Sequence, residues 1–349
     1  MLRVLVLACL TLPLVPAANQ QIIYSVKPGG ELDYYQYQGM NDGAASWGAV
    51  NVVAGNEWNF RHVFSGGDGV MFAITDTGDL FYYKYSGVSN GAKAWSKTHV
   101  QIGHGWNFRH VFSGGDGVIF AITDAGELFY YKYLGMATGA NSWGNTHMQI
   151  GNGWNFRHVF SGGDGVLYGI TDTGDLLYFK YLGMNNGSRT WGKVNVPIGS
   201  GWIFRHVFAG DAGVIFAVND AGVLFYYKYL GMSTGAATWG PVGKQIGSGW
   251  VIDHVFAEFP GRPADPTPRR EQLPPSEDPK CASYASAAVS DFKATLSSPK
   301  CRVSPADGRW SADYKAHYNW CMAAPQAARV NESTIRDKHL LACGARSIM

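Results

Sequence analysis

The sequence predicts an all-β protein, a five-bladed β-propeller of four-stranded blades, followed by a small disulfide-linked α-helical module. The first reason is a period of 48 residues: Trp58, Trp106, Trp154, Trp202 and Trp250 are spaced 48 residues apart, and a second set of tryptophans keeps the same step. The second is composition, because 45 glycines with 14% aromatic and 15% charged residues suit short strands joined by tight turns. A fixed period of this length is typical of repeat architectures.

Each repeat contains four predicted strands, which in the second repeat span 60–64, 70–75, 80–85 and 95–102. Gly78 can supply the positive φ that the hairpin between the second and third strands needs. These two strands are apolar or aromatic on both faces, which predicts that both faces are buried. A four-stranded unit with two buried faces must stack on its neighbours, and radial stacking gives a propeller.

The ends of the repeat region predict how the ring closes. The aromatic strand begins five times, at Leu32, Leu80, Leu128, Leu176 and Leu224. The His-Val-Phe strand also occurs five times, but its last copy, within 250–256, lies past the fifth blade. We expect this copy to complete the first blade, whose other strands lie in 21–53. Closure of this kind leaves no open sheet edge.

The rest of the chain predicts an exported protein with four segments. Residues 1–18 have the features of a signal peptide: Arg3, an apolar run too short to span a bilayer, and a small-residue cleavage site. Residues 19–259 form the propeller and residues 260–280 a Pro-rich, charged linker. Residues 281–349 form the cysteine-containing module. We therefore expect a secreted protein, extracellular or periplasmic, without a membrane span.

The module contains the four cysteines that remain after cleavage of the signal: Cys281, Cys301, Cys321 and Cys343. An even number in an exported chain predicts two disulfides, whose pairing the sequence leaves open. Short helices are predicted at 282–296, 311–324 and 332–343, and a core this small gains stability from disulfides. The stretch 309–321 resembles small cysteine modules at the ends of bacterial secreted proteins, and no activity follows from that resemblance.

The repeat motif I-G-x-G-W-x-F-x-x-V-F, followed by G-V-x-[FY]-[AG]-[IV] and a Trp-containing fourth strand, resembles the tachylectin family of five-bladed propeller lectins. The resemblance covers about residues 19–259. It implies binding of N-acetylated amino sugars, GlcNAc or GalNAc, with one site between each pair of blades. Each site would combine the loop between the two outer strands with the segment that enters that blade.

Mapping that arrangement onto this chain selects a Trp and a compact polar residue in each loop and an Asn in three entering segments. An indole face can cover a pyranose, and short polar groups can bond its hydroxyls. The predicted sugar-binding residues are Asp42, Trp47, Asn59, Asn90, Trp95, Asn107, Thr138, Trp143, Asn155, Asn186, Trp191, Thr234 and Trp239. Two alternatives stay open: the tryptophans fill the wedge between blades, and the polar residues form turns.

The copies are not equivalent, because Ile203 and Val251 replace the Asn in two of the five segments. If this Asn contacts the sugar, three sites bind more strongly than the other two. The histidines that recur at His62 and every 48 residues could form a metal ring or bond neighbouring backbone. We favour the backbone, since no acidic or thiol partner recurs with them, and we predict no metal or cofactor. The Gly66–Gly69 motif is interpreted as a hairpin turn rather than a calcium turn.

Taken together, these patterns predict a secreted, monomeric, multivalent lectin that recognises GlcNAc or GalNAc on glycans or cell surfaces. The net charge is only +2 and the sequence has no basic stripe, so nucleic acid is not an expected partner. The acidic residues recur with the repeats instead of forming one unique pair, so no enzyme activity is predicted. Two alternatives remain: a scaffold propeller that binds a polypeptide, and the targeting domain of a secreted hydrolase.

Overall fold

The computed structural model describes residues 20–258, 279–296, 300–301, 303, 309–311 and 313–344. They belong to two compact units. The predicted signal peptide and nearly all of the predicted linker lie outside the described residues.

The first unit contains five four-stranded antiparallel sheets, which confirms the five-bladed propeller. The sheet orders are β20-β1-β2-β3, β4-β5-β6-β7, β8-β9-β10-β11, β12-β13-β14-β15 and β16-β17-β18-β19, and these are blades 1 to 5. The strands are β1 (Gln21–Val26), β2 (Leu32–Tyr37), β3 (Val52–Gly55), β4 (His62–Gly67), β5 (Val70–Ile74), β6 (Leu80–Tyr85), β7 (Trp95–Gly103), β8 (His110–Gly115), β9 (Val118–Ile122), β10 (Leu128–Lys132), β11 (Met148–Gly151), β12 (His158–Gly163), β13 (Val166–Ile170), β14 (Leu176–Tyr181), β15 (Trp191–Gly199), β16 (His206–Ala209), β17 (Val214–Val218), β18 (Leu224–Lys228), β19 (Lys244–Gly247) and β20 (His254–Ala257).

The last strand closes the ring as predicted. Strand β20 pairs antiparallel with β1, with Phe256 opposite Tyr24. The side chain of Gln21 reinforces this closure on both sides. Its amide nitrogen donates to the Glu258 carbonyl at 2.9 Å, and its carbonyl oxygen accepts from the Asp211 backbone N–H of blade 5 at 2.7 Å.

The hydrophobic cores lie between blades, which explains why the middle strands are apolar on both faces. Along β5 the side chains of Val70, Phe72 and Ile74 enter the core shared with blade 3. The alternate side chains of Met71 and Ala73 enter the core shared with blade 1. Successive side chains of a strand point to opposite faces, so each blade has two cores to fill and cannot fill either one alone.

The outer strand shows the main departure from the predicted bounds. It is continuous in blades 2 and 4, as β7 and β15, whereas in blades 1, 3 and 5 the tryptophan joins the sheet through a separate bridge such as Tyr37–Trp47. In every blade one residue of this segment is left-handed, with φ of 53° at His99 and 63° at Gly243. The extra residue shifts the register of the outer pair, which is the behaviour of a β-bulge.

The second unit contains three helices, α1 (Pro279–Leu296), α2 (Tyr314–Ala323) and α3 (Gln326–Ala342). Helix α3 begins six residues before its predicted start, directly after Pro325. Two disulfides are present, as predicted, and they join Cys281 to Cys321 and Cys301 to Cys343. Among the residues that the structure describes, no helix has the length and apolar character needed to cross a bilayer.

Candidate functional site

Each junction between blades brings together two tryptophans that lie far apart in the sequence. Between blades 2 and 3, Trp106 of the entering segment faces Trp143 of the outer loop, with ring centroids 5.7 Å apart and planes 33° from parallel. The same pair recurs as Trp47 with Trp250, Trp58 with Trp95, Trp154 with Trp191 and Trp202 with Trp239. The structure therefore pairs the two stretches of each predicted site.

The outer tryptophan of each pair is anchored to the neighbouring blade. The indole nitrogen of Trp143 donates to the Ile102 carbonyl at 3.0 Å. Equivalent bonds run from Trp47 to Ile246, from Trp95 to Ala54, from Trp191 to Ile150 and from Trp239 to Ile198. The bond holds the ring in the wedge between blades while the side chain stays half-exposed. Wedge filling and ligand contact are thus compatible in the same residue.

The inner tryptophan is buried, and its ring sits directly on a glycine. A Cβ added at Gly103 would lie 2.6 Å from Nε1 of Trp106, so the motif requires glycine there. The backbone N–H of Trp106 donates to the Gly78 carbonyl at 2.9 Å, which fixes the segment against the preceding blade. Among the described residues, the indole N–H makes no hydrogen bond in Trp58, Trp106, Trp154, Trp202 or Trp250. That donor is left for water or a ligand.

A third aromatic side chain completes the wall, and sequence reasoning missed it. Tyr83 lies 4.6 Å from Trp58 between ring centroids, and its hydroxyl bonds Nδ1 of His99 at 2.8 Å. Tyr131 pairs with His147 in the same way at 2.7 Å. Burial raises the pKa of both tyrosines to about 12, so each phenol is neutral. The available signal was the repetition of this aromatic position every 48 residues.

Three of these junctions form open pockets in the described part of the chain. Their volumes are about 350 Å³ between blades 5 and 1, 320 Å³ between blades 1 and 2, and 450 Å³ between blades 2 and 3. In the largest, Gln101, His104 and Asn141 face the aromatic wall. These volumes match small-molecule sites, and an aromatic wall opposite a few polar groups suits a sugar.

The predicted polar residues of the loops build turns. Each accepts a hydrogen bond from the backbone N–H two residues later, as Asp42 does from Ala44 at 3.0 Å. Asn90, Thr138, Asn186 and Thr234 repeat this bond at 3.0 to 3.2 Å. Asp42, Asn90 and Thr138 do not line the pockets at their own junctions. Their placement matches the turn alternative.

Of the three asparagines of the entering segments, Asn59, Asn107 and Asn155, the first two lie outside the pockets at their own junctions. Each is exposed and covers the hairpin glycine of the preceding blade, as Asn59 covers Gly30. Ile203 occupies the same place over Gly174. The polar lining comes instead from the position three residues earlier, which is Asn56, His104 or Ser248. This position varies among otherwise similar repeats, and that variation is the feature of the sequence that could have identified it as part of the pocket lining.

The recurring histidines bond neighbouring backbone, as we favoured from the sequence. Nε2 of His62 lies 3.0 Å from the Phe108 carbonyl of the next repeat, and His110, His158 and His254 make the same bond at 2.9 to 3.2 Å. His206 has no hydrogen bond of normal geometry at Nε2. Burial lowers the pKa of His110 and His206 to about 4, which keeps these rings neutral. In the described residues no cluster of three His, Cys, Asp or Glu is placed to hold a metal ion.

Clefts walled by aromatic side chains recur between the blades of this closed ring, and the family match places the chain in the class of carbohydrate-binding propeller lectins. The chain belongs to the tachylectin family, which matches residues 20–257.

Several solved structures are similar to this chain. One, from work on the de novo evolutionary emergence of a symmetrical protein, is 22% identical, with a TM-score of 0.49 over 69% of this chain and 100% of that one. The fungal Aleuria aurantia lectin, a six-bladed propeller that recognises fucose, is 14% identical, with a TM-score of 0.33 over 69% and 78%. The SapL1 lectin, in complex with alpha methyl fucoside, is 12% identical, with a TM-score of 0.36 over 65% and 78%. No curated protein sequence matches this chain.

Proposed function

We propose that the protein is a secreted, non-enzymatic lectin that binds N-acetylated amino sugars, GlcNAc or GalNAc, in the clefts between its blades. The observation that carries this proposal is the tryptophan pair, because two indole faces offer an apolar wall to a pyranose ring. The unpaired indole N–H of the inner tryptophan is a donor of the kind that an acetamido carbonyl accepts. The two disulfides of the second unit support an oxidising compartment outside the cytosol.

Repetition of the cleft supports multivalent binding. A shallow single site contributes about −4 kcal/mol, which is a millimolar affinity. Several sites that engage one glycan-coated surface raise the apparent affinity by about 10²–10⁴. We therefore expect cell-surface or polymeric glycans as partners, bound by one monomeric chain.

Isothermal titration of the full chain with GlcNAc and GalNAc, with glucose as the control, tests the proposal. We expect saturable binding of the acetamido sugars at more than one site per chain. Absence of heat with all three sugars, on folded protein, would leave the polypeptide-binding scaffold as the working hypothesis.

Two variants separate the tryptophan wall from the loop turn. Trp143→Ala removes the half-exposed wall of the largest pocket and should lower the number of sites by one. Thr138→Val removes only the turn oxygen of the same loop and should leave the sugar stoichiometry unchanged. If Thr138→Val lost a site instead, the polar loop residues predicted from the sequence would be sugar contacts.

A further inference from the structure

One entering segment breaks the glycine pattern of the other four. At the position before the inner tryptophan, Gly105, Gly153, Gly201 and Gly249 adopt left-handed backbone with φ between 73° and 78°. The first repeat has Glu57 there, with φ of 68°. This conformation costs glycine nothing, whereas a residue with a Cβ is strained in it. Strained residues of this kind cluster at ligand-binding sites.

Glu57 lines the pocket between blades 1 and 2, beside Trp58 and Trp95. Lys93 also lines this pocket and brings a cation to it. With the Asn56 side-chain amide turned so that its oxygen faces the ammonium group, Nζ of Lys93 donates to that oxygen at 2.8 Å. Within the described residues, neither the Glu57 carboxylate nor the Lys93 ammonium forms an ion pair, so the two charges stand separately in this lining. An exposed carboxylate therefore stands at the rim of an aromatic cleft with its charge available.

The two neighbouring pockets have no carboxylate in their lining. The pocket between blades 2 and 3 has Gly105 at the equivalent position, next to His104. The pocket between blades 5 and 1 has Gly249, next to Ser248. The tryptophan pair is common to all three pockets, so a difference in ligand preference must come from rim residues such as Glu57.

We propose that the pocket between blades 1 and 2 prefers amino sugars whose nitrogen is unacetylated and carries a positive charge. The Glu57 carboxylate would accept a charge-assisted hydrogen bond from that ammonium group while the tryptophans cover the ring. This assignment rests on the proposed sugar-binding function and gives one of the five junctions a separate ligand class. A polymer that mixes acetylated and free amino sugars would then engage several junctions at once.

Titration of the full chain with glucosamine, at a pH at which its amine is protonated, tests this proposal. We expect one glucosamine site per chain that is distinct from the GlcNAc sites. Glu57→Gln, which removes the charge and keeps the side-chain length, should weaken glucosamine binding by about tenfold or more. Asp76→Asn is the matched control, because it removes an exposed turn carboxylate outside the pocket.

Glu57→Gly is a second variant, and its effects distinguish a ligand-binding role of Glu57 from a purely structural one. Removal of the strained side chain should raise the Tm by about 2–4 °C and at the same time abolish the glucosamine site. Glucosamine binding unchanged in both Glu57 variants, with GlcNAc binding intact, would overturn the assignment of Glu57 alone. Absence of GlcNAc binding by the wild-type chain would instead contradict the proposed function.

Discussion

The propeller and the C-terminal helical unit are stabilised by different means. In the propeller, five aromatic and aliphatic cores lie between sheets, so every blade depends on its neighbours. The helical unit has one small described core around Cys281, Tyr284 and Cys321, and two disulfides supplement it. Small units bury too little surface to be stable by packing alone, whereas repetition lets a large unit be built from one short pattern.

The junctions of the propeller also share a set of bonds from side chain to backbone. Tyr130 of β10 donates to the Met184 carbonyl of the next outer loop at 2.8 Å. Tyr34, Tyr82, Tyr178 and Tyr226 make the same bond to Val88, Met136, Met232 and Met40. Together with the tryptophan and histidine bonds, this fixes the angle between blades. Each of these bonds joins a side chain of one blade to a carbonyl of another. The residues that hold neighbouring blades together therefore also set the position of the cleft between them.

The largest effect that we expect is the loss of a disulfide from the helical unit. The Cys281–Cys321 bond has a sequence separation of 40, and a loop of that size corresponds to about 4 kcal/mol of stability. Replacing both cysteines with Ala should unfold the helical unit at a lower denaturant concentration and leave the propeller transition unchanged. Helical circular dichroism would follow the helical unit. Tryptophan fluorescence, to which ten of the twelve tryptophans contribute from the propeller, would mainly follow the propeller. A single transition that moved as a whole would contradict the separate stabilisation of the two units.

The buried ion pair of the helical unit should have the next largest effect. Arg336 is fully buried and bonds Asp291 at 3.2 Å and the Tyr284 hydroxyl at 3.1 Å. A second carboxylate, that of Glu332, lies 3.6 Å from the same guanidinium. Asp291→Ala therefore removes the closer of two acidic partners of a buried charge, which should cost at most about 3 kcal/mol. Denaturant unfolding should show this loss in the helical transition. Double replacement with Arg336→Met should recover part of it, and an equal loss in both variants would argue against a charge effect.

The ring closure should make the stability of the propeller depend on pH. Glu258 follows β20, and its carboxylate accepts from the Gly69 backbone N–H of blade 2 at 2.6 Å. Burial, partly opposed by this bond, raises the pKa of Glu258 to about 7. The protonated group therefore contributes stability that is complete below about pH 4.5 and is lost as the pH rises through about 7.

Glu258→Gln should remove this dependence on pH, which amounts to about 3 kcal/mol of unfolding free energy between about pH 4.5 and about pH 7. The buried histidines have lowered pKa values and act in the opposite direction, losing stability as the pH falls. The difference in unfolding free energy between wild type and Glu258→Gln, measured across the pH range, isolates the carboxylate. A difference that does not change with pH would contradict the assignment.

The smallest effect concerns one junction bond. Tyr130→Phe deletes the hydroxyl that bonds Met184 and should cost about 1 kcal/mol of propeller stability without a change in sugar affinity. Tyr131→Phe, one residue along β10, deletes the hydroxyl that bonds His147 in the wall of a pocket. Its effect on sugar binding at that junction should exceed that of Tyr130→Phe. Equal effects on binding would show that the two faces of β10 are not separated in function.

Much of the fold was predictable because it depends on local and periodic signals. The 48-residue step gave the blade count, and the extra His-Val-Phe copy at 254–256 gave the closure. Strands with apolar residues on both faces were predicted to be buried on both faces, and β5 is buried along its whole length. Two disulfides followed from the even number of cysteines, although their pairing required the positions of Cys281 and Cys301 in space.

The site was only partly predictable, and the reason is geometric. The sequence by itself determined which residues recur, so it selected the tryptophans that now face each other across every junction. It could not show which polar atoms already have a partner: Thr138 bonds its own turn, and Asn107 covers a glycine of the preceding blade. Tertiary structure decided that the pocket rim belongs to positions such as His104 and Glu57, because only the packing of two blades brings residues more than 30 positions apart to one cleft.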